Sequence, residues 1–145
     1  MYKRTAVQRM DSVIHYFDRL MRKSASRCTT LDWRVTKIKE YVAAHPEKAE
    51  SNLRTLCKEL RLPVSPRQAR RLFRNAAGIS ISEYAEIMRL SIAAEQLRTT
   101  DAPIKAIATE AGYYSAANLA RCFRKLFMLS PVEFRTLHRH ARVRA

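Results

Sequence analysis

Two arginine-rich stretches, residues 65–84 and 115–134, carry the residues whose types and spacing point most clearly to a chemistry. Guanidinium groups neutralise phosphates and can bond two acceptors on the edge of guanine, so such stretches are typical of nucleic-acid binding. The second stretch repeats the first at an offset of 50 residues, with these pairs in register: Ser65 and Ser115, Arg71 and Arg121, Phe73-Arg74 and Phe123-Arg124, Ser80 and Ser130, Glu83 and Glu133, and Tyr84 and Phe134. This duplication predicts one small helical module that is used twice.

The elements that position these residues are predicted to be pairs of helices. An apolar stripe at helical spacing precedes each stretch, first at Leu53, Leu56, Cys57 and Leu60, then at Ile104, Ile107, Ala108 and Ala111. After a short break, Ser65 and Ser115 are suited to cap a second helix, which has Pro66 at its first position in one copy. The apolar face of this second helix is Ala69, Leu72 and Phe73 in the first copy, and Leu119, Cys122 and Phe123 in the second. Each module is therefore predicted to be a helix-turn-helix.

The other face of each second helix, which we call the recognition helix, is the candidate contact surface. It comprises Arg67, Gln68, Arg70, Arg71 and Arg74 in the first copy, and Ala116, Ala117, Asn118, Arg121, Arg124 and Lys125 in the second. Each arginine leaves two interpretations open: a contact with a base edge, which specifies sequence, or a contact with a phosphate, which only positions the protein. Arg121 together with Asn118 is the stronger base-contact candidate of the second copy.

The remaining cations and the capping serines are candidates for contacts with the DNA backbone. Arg74, Arg124 and Lys125 fit phosphate contacts or a solvated surface. Ser65 and Ser115 could present helix N-termini to phosphates, or they could serve as plain caps.

Composition limits the class of partner. The chain has 145 residues and a net charge of +15, which indicates a polyanionic partner, with nucleic acid first and an anionic membrane second. No apolar run reaches the length of a membrane span, so no spanning segment is predicted, and the expected partner is nucleic acid and not a membrane. Three scattered cysteines, Cys28, Cys57 and Cys122, favour reduced thiols in a cytoplasmic, nucleoid-associated protein. No catalytic constellation, metal-ligand cluster or phosphate-binding glycine loop is evident, so no enzyme activity, metal or cofactor is predicted.

The whole chain divides into five predicted segments. They are residues 1–30, an N-terminal amphipathic helix and linker; 31–79, the first helix-turn-helix subdomain; 80–100, a connector helix; 101–137, the second helix-turn-helix subdomain; and 138–145, a frayed basic tail. The N-terminal helix carries an apolar seam of Val7, Met10, Ile14, Phe17 and Met21. The seam could fold back on the body or mediate self-association with a second chain.

Helix boundaries follow from caps and stripes. Thr30 is predicted to cap a helix from Leu31 to about Ala44, which ends before Pro46. Ser80 with Glu83, and Ser130 with Glu133, fit capping boxes, and Gly78 fits the end of the first recognition helix. The connector is predicted to bury Ile81, Tyr84, Met88, Ile92 and Leu97, and the last helix Val132, Phe134 and Leu137. No alternating run indicates a strand, so the fold is predicted to be all-α.

The second module resembles the signature region of the AraC/XylS family of bacterial transcription regulators. The residues that carry the resemblance are Ile104, Ile107, Ala108, Gly112 and Tyr113, then Ser115, Leu119, Arg121, Phe123 and Arg124, then Ser130, Pro131, Phe134 and Arg135. The connector segment Tyr84–Leu97 also resembles that family, and the whole resemblance covers about Leu31 to Arg135.

This resemblance implies seven helices, with two helix-turn-helix units joined by a long helix. It also implies a sequence-specific DNA-binding transcription regulator, of the activating kind, that contacts two adjacent major-groove segments. Arg67, Arg70 and Arg71 lie on positions that the family uses for base contact. A helical adaptor that contacts RNA polymerase and a non-specific nucleoid-binding protein are the alternatives.

Two departures from the family pattern bear on recognition. The first turn, Arg61-Leu62-Pro63-Val64, lacks the usual glycine and is longer, which puts the pitch of the first recognition helix in question. Ala116, Ala117 and Ala120 stand where long polar side chains are common, so the second recognition helix is expected to contact thymine methyls and DNA shape.

Overall fold

The structure, a computed structural model, describes residues 32–49 and 52–143. The predictions for residues 1–31, including the self-association seam, Thr30 and Cys28, lie outside the described residues. The described chain forms these helices: α1 (Trp33–Ala44), α2 (Leu53–Glu59), α3 (Pro66–Ala77), α4 (Ile81–Thr99), α5 (Ile104–Glu110), α6 (Ala116–Phe127) and α7 (Pro131–Val143). The regular structure of the described residues is entirely helical, which confirms the all-α prediction.

The described residues divide into two compact units within α4. The first unit ends at Met88 and the second begins at Arg89. Each unit contains one helix-turn-helix, formed by α2 and α3 in the first unit and by α5 and α6 in the second. α3 and α6 are therefore the two recognition helices.

The first unit packs around Phe73, which is fully buried. Val35, Ile38 and Val42 of α1 belong to the same cluster, as the apolar stripe of that helix predicted. The ring of Phe73 meets the ring of Tyr84 edge to face, with 5.5 Å between the centroids. Aromatic pairs in this arrangement add to the stabilisation that apolar burial provides.

The second unit repeats this packing around Phe123, which is also fully buried. Its ring lies 5.1 Å from Phe134 in a T-shaped contact and 4.4 Å from Phe127. Since Tyr84 and Phe134 are matched positions of the repeat, the two units use the same aromatic pair to hold the recognition helix. The predicted placement of Phe73 and Phe123 on the apolar faces of the recognition helices is confirmed.

The turns of the two helix-turn-helix units have the same backbone hydrogen bonds. The Arg61 and Leu62 N–H groups donate to carbonyl oxygens three and five residues earlier, at 3.0 and 2.9 Å. Gly112 and Tyr113 do the same, at 3.1 and 2.8 Å. Arg61 accordingly adopts a left-handed φ of 50°, where its counterpart Gly112 has 81°. The first unit thus forms the turn without the glycine that makes this conformation easy.

Most of the predicted helix caps are present in the structure. Ser80 Oγ accepts the Glu83 N–H at 3.1 Å while Glu83 Oε2 accepts the Ser80 N–H at 2.7 Å, and the predicted box at Ser130 and Glu133 has the same two bonds. Gly78 ends α3 in the left-handed conformation. These capping predictions are confirmed.

The predicted start of the first helix is wrong. The N-cap of α1 is Asp32, so the helix begins at Trp33, and Asp32 Oδ1 accepts the Arg34 N–H at 3.0 Å. Hydrogen bonding to the Arg34 side chain also lowers the pKa of Asp32. A carboxylate is as good a cap as a hydroxyl and is favoured by the helix dipole, so the later acidic residue is the cap.

Further predictions of burial and order are wrong. Ile92 of α4 and Val132 of α7 are exposed instead of buried, and Leu137 is only partly buried. Residues 138–143 are helical rather than frayed, because α7 continues to Val143. Arg139 pairs with Asp101, and the His138 ring packs on Phe134 at 4.5 Å, which explains the longer helix.

Candidate nucleic-acid interface

The first recognition helix begins with a reciprocal cap that the sequence analysis did not predict. Ser65 Oγ accepts the Gln68 N–H at 3.2 Å, and Gln68 Oε1 accepts the Ser65 N–H at 3.0 Å. Gln68 was predicted as a contact residue, and the box commits its carbonyl oxygen to the cap. Its amide hydrogens remain as donors, so any contact it makes outside the helix is through those donors. The Ser-x-x-Gln spacing is the signal that could have revealed this box.

The outer face of α3 is a surface of four exposed arginines: Arg67, Arg70, Arg71 and Arg74. Ala69 and Phe73 on the opposite face are completely buried, so the helix is strongly amphipathic. None of the four arginines pairs with an acidic side chain among the described residues. This arrangement leaves four guanidinium groups available to one anionic ligand.

The second recognition helix has a smaller cationic surface. Ser115 Oγ accepts the Asn118 N–H at 3.1 Å, which confirms the predicted cap. Arg121, Arg124 and Lys125 are exposed.

The predicted contact residues in the first turn of α6 are less exposed to solvent. Ala117 is exposed, but Ala116 and Asn118 are only partly exposed. The Asn118 Oδ1 atom accepts from the Cys122 thiol at 3.7 Å, so this acceptor is engaged within the helix. All six predicted residues lie on α6, and the two alanines stand in its first turn.

One exposed aromatic at this surface was missed by the sequence analysis. Tyr114 is 98% exposed and immediately precedes the cap residue Ser115. Its neighbour Tyr113 is buried, and the Arg89 guanidinium lies 5.0 Å from the centre of the Tyr113 ring. The sequence places both residues in the turn, and only the structure separates the core tyrosine from the surface tyrosine.

A cleft beside the first recognition helix contains two further candidates that the sequence analysis missed. It has a volume of about 510 Å³ and its polar lining residues are Asn52, Arg54, Arg70, Arg74, Ser80 and Ser82. We call it the arginine cleft. Arg54 belongs to α2 and Ser82 to α4, so neither lies on the helix that the charge pattern singled out. Only the folding of the first unit brings them beside Arg70 and Arg74.

The described residues contain no group of three or more His, Cys, Asp or Glu side chains that could hold a metal ion. Within the same ranges, no helix is long and apolar enough to cross a membrane. Cys57 and Cys122 are free thiols, and burial raises the pKa of Cys57.

A family model described as a helix-turn-helix domain matches residues 59–137, which is more than half of the chain. The chain belongs to the AraC/XylS family. The regulatory protein SoxS of Salmonella typhimurium is 40% identical over 65 residues, which are 45% of this chain and 61% of that relative. The chain thus spans about three fifths of the length of this relative.

Solved structures of this family have the same fold. The C-terminal domain of AraT, a response regulator from Geobacillus stearothermophilus, superposes with a TM-score of 0.67 at 28% identity, covering 74% of this chain and 88% of that one. The DNA-binding domain of the global transcriptional factor AdpA, in complex with a target DNA, has a TM-score of 0.67 at 22% identity. It covers 77% of this chain and 97% of that chain, and at this identity it shows the fold alone.

Proposed function

We propose that this chain is a sequence-specific regulator of transcription that binds double-stranded DNA through α3 and α6. The observation that carries the proposal is the presence, in each of two helix-turn-helix units, of a recognition helix whose outer face is exposed and cationic. A helix of this kind fits the major groove, where base pairs present distinct donor and acceptor patterns. The net charge of +15 supports a polyanionic ligand.

The proposed contact set is the one that the sequence predicted: Ser65, Arg67, Gln68, Arg70, Arg71, Arg74, Ser115, Ala116, Ala117, Asn118, Arg121, Arg124 and Lys125. Arg71 and Arg121 are matched positions of the repeat, and both are exposed. We therefore propose them as base-contacting residues, one in each of two adjacent major-groove segments. The different side chains of α3 and α6 imply an asymmetric binding site.

The proposal extends to an activating, non-enzymatic role in the cytoplasm. An activator that occupies DNA with α3 and α6 would contact RNA polymerase through surfaces that DNA leaves uncovered. We also propose that the apolar seam of residues 7–21 mediates self-association. Sedimentation of the full chain and of a chain without residues 1–27 tests this: a dimeric full chain and a monomeric shortened chain indicate self-association, and a monomeric full chain indicates that the seam folds back on the body.

Selection of bound duplexes from a random pool tests the main proposal. The full chain should enrich one asymmetric sequence and bind it at least about 10³-fold more tightly than unrelated duplex at physiological salt. Binding of all duplexes alike would contradict sequence-specific recognition and favour a non-specific nucleoid-binding protein. Absence of DNA binding would contradict the proposal altogether and favour a helical adaptor.

A further inference from the structure

We propose that the arginine cleft of the first unit seats the phosphate backbone of the DNA, with Arg54 and Ser82 as contacts that lie outside the recognition helix. This inference rests on the proposed function, since it names the part of the duplex that one surface binds. It adds residues of α2 and α4 to a contact set that the sequence confines to α3 and α6.

The described lining of the cleft concentrates positive charge and contains no acidic side chain. Arg54, Arg70 and Arg74 line it, and none of them pairs with an acidic side chain of the described residues. The described lining contains no aspartate or glutamate. Like charges around one concave surface repel each other and attract an anion, so an anionic ligand is the natural complement.

The position of Arg54 is not explained by the stability of its helix. It is the second residue of α2, and the first turn of α2 contains no acidic residue. The positive end of the helix dipole disfavours a cation in the first turn, where aspartate and glutamate are preferred. Arg54 is also exposed, so it adds no apolar core contact. Contact with an anion accounts for a cation at this place.

The polar groups that remain in the described lining of the cleft can all donate hydrogen bonds. Asn52 Oδ1 accepts backbone N–H groups at 3.1 and 3.3 Å as the cap of α2, and Ser80 Oγ is occupied by the Glu83 N–H. The Asn52 amide hydrogens and the Ser82 hydroxyl remain. Phosphodiester oxygens are acceptors only, so they match guanidinium, amide and hydroxyl donors.

A second feature favours duplex DNA over a free small anion as the occupant. Arg70 and Arg74 belong to both the cleft and the recognition helix, so the cleft is continuous with the surface proposed to enter the major groove. A phosphate chain that borders this groove would pass the cleft while α3 contacts the bases. Phosphate contacts of this kind fix the orientation of a recognition helix without specifying sequence.

The repeat shows that the cleft is a property of the first module. The matched residues of the second module are Lys105 for Arg54, Ala120 for Arg70, Arg124 for Arg74 and Val132 for Ser82. Val132 is 59% exposed, so an apolar side chain stands where the first module has a hydroxyl. The first module therefore supplies the larger share of backbone anchoring, and the salt dependence of binding is concentrated there.

The test compares Arg54→Ala with Lys58→Ala, which removes a cation from the same helix but not from the cleft. The full chain and both variants are titrated with the selected duplex and with unrelated duplex over a range of salt concentrations. Arg54→Ala should weaken binding to both duplexes by the same factor. It should also reduce the salt slope, the slope of log binding constant against log salt concentration, by about 0.9, the value of one phosphate contact. Lys58→Ala should leave the salt slope unchanged. Arg54→Lys retains the positive charge and should have the salt slope of the parent.

Two outcomes would overturn this inference without affecting the proposed function. One is an unchanged affinity and salt slope in Arg54→Ala while the parent still selects its sequence. The other is a changed sequence preference in Arg54→Ala, which would make Arg54 a base contact. A lower melting temperature for Arg54→Ala than for Lys58→Ala would instead assign Arg54 to the fold and also count against the cleft. Loss of sequence selection by the parent chain would contradict the proposed function itself.

Discussion

Left-handed backbone conformations occur at equivalent places of the two modules. Arg61 and Gly112 lie in the turn of each module, and Gly78 and Met128 follow the recognition helices as C-caps, with φ between 50° and 81°. Each module thus fills one of its two left-handed positions with glycine and the other with a larger residue. A side chain at such a position costs about 1–2 kcal/mol because its Cβ approaches a carbonyl oxygen.

Replacing Met128 by glycine should stabilise the protein. Met128 has a φ of 59° and is 71% exposed, so glycine removes backbone strain and loses little apolar contact. The greater freedom of glycine in the unfolded chain offsets part of this gain, and the free energy of unfolding should rise by up to about 1 kcal/mol in urea titrations.

The matched control is Gly78→Ala at the equivalent position of the first module. A Cβ there meets no atom within 4 Å, so any loss of stability reports the strain at a φ of 77°, offset by the lower freedom of alanine in the unfolded chain, and not a steric contact. We expect a loss of about 1 kcal/mol. A destabilised Met128→Gly variant would show that the methionine side chain contributes more than the strain costs.

Glu133 predicts a pH dependence of stability. Its pKa is lowered chiefly by the hydrogen bond from the Ser130 backbone N–H, at 2.7 Å. A depressed folded-state pKa stabilises the protein above the unfolded pKa of about 4.3, and this stability is lost as the pH falls through the lower folded value. Glu133→Gln should therefore melt below the parent at pH 7, and the difference should shrink below about pH 4. A difference that stays constant with pH would contradict this origin.

At the scale of helices, the repeat explains why so much of the fold could be predicted. Each module is short, and its helices are bounded by strong local signals: a capping serine, an apolar stripe and a left-handed end residue. Ser65, Ser115 and Gly78 act as predicted because these roles depend on the residue and its immediate neighbours. The first turn was the harder case, since Arg61 stands in the place of a glycine and still adopts the left-handed conformation.

The long connector helix shows where a sequence pattern fails. Ile92 continues the spacing of Ile81 and Tyr84, so a single stripe predicted its burial. The second half of α4 instead buries another face, through Leu90, Ala93 and Leu97. A helix that serves two separate clusters has no single apolar face, and periodicity alone does not show where the change occurs.

Truncation of a central phenylalanine should destabilise mainly the unit that contains it. Phe123 is fully buried among Phe127 and Phe134, so Phe123→Ala should lose about 3–5 kcal/mol and melt far below the parent. Hydrogen exchange should rise most in α5, α6 and α7. Arg124→Ala, at the neighbouring exposed position, should leave melting nearly unchanged, and equal melting of the two variants would contradict the packing.

At the scale of the whole molecule, charge and duplication predicted the kind of ligand, but not the full contact surface. The cationic faces of α3 and α6 follow from residue spacing, and the structure exposes the arginines as predicted. Arg54, Ser82 and Tyr114 could not be found in this way. The first two lie outside the recognition helices and join the surface only through folding, and Tyr114 differs from Tyr113 only in the direction that the turn gives it.

The central claim is that one chain contacts two different DNA segments, one with each recognition helix. Its most direct test is selection of duplexes from a random pool by the parent, by Arg71→Ala and by Arg121→Ala. The parent should enrich an asymmetric site with two blocks. Arg71→Ala should relax selection in one block and Arg121→Ala in the other, each at a cost of about 1–3 kcal/mol. A palindromic site, or relaxation of the same block by both variants, would contradict the account.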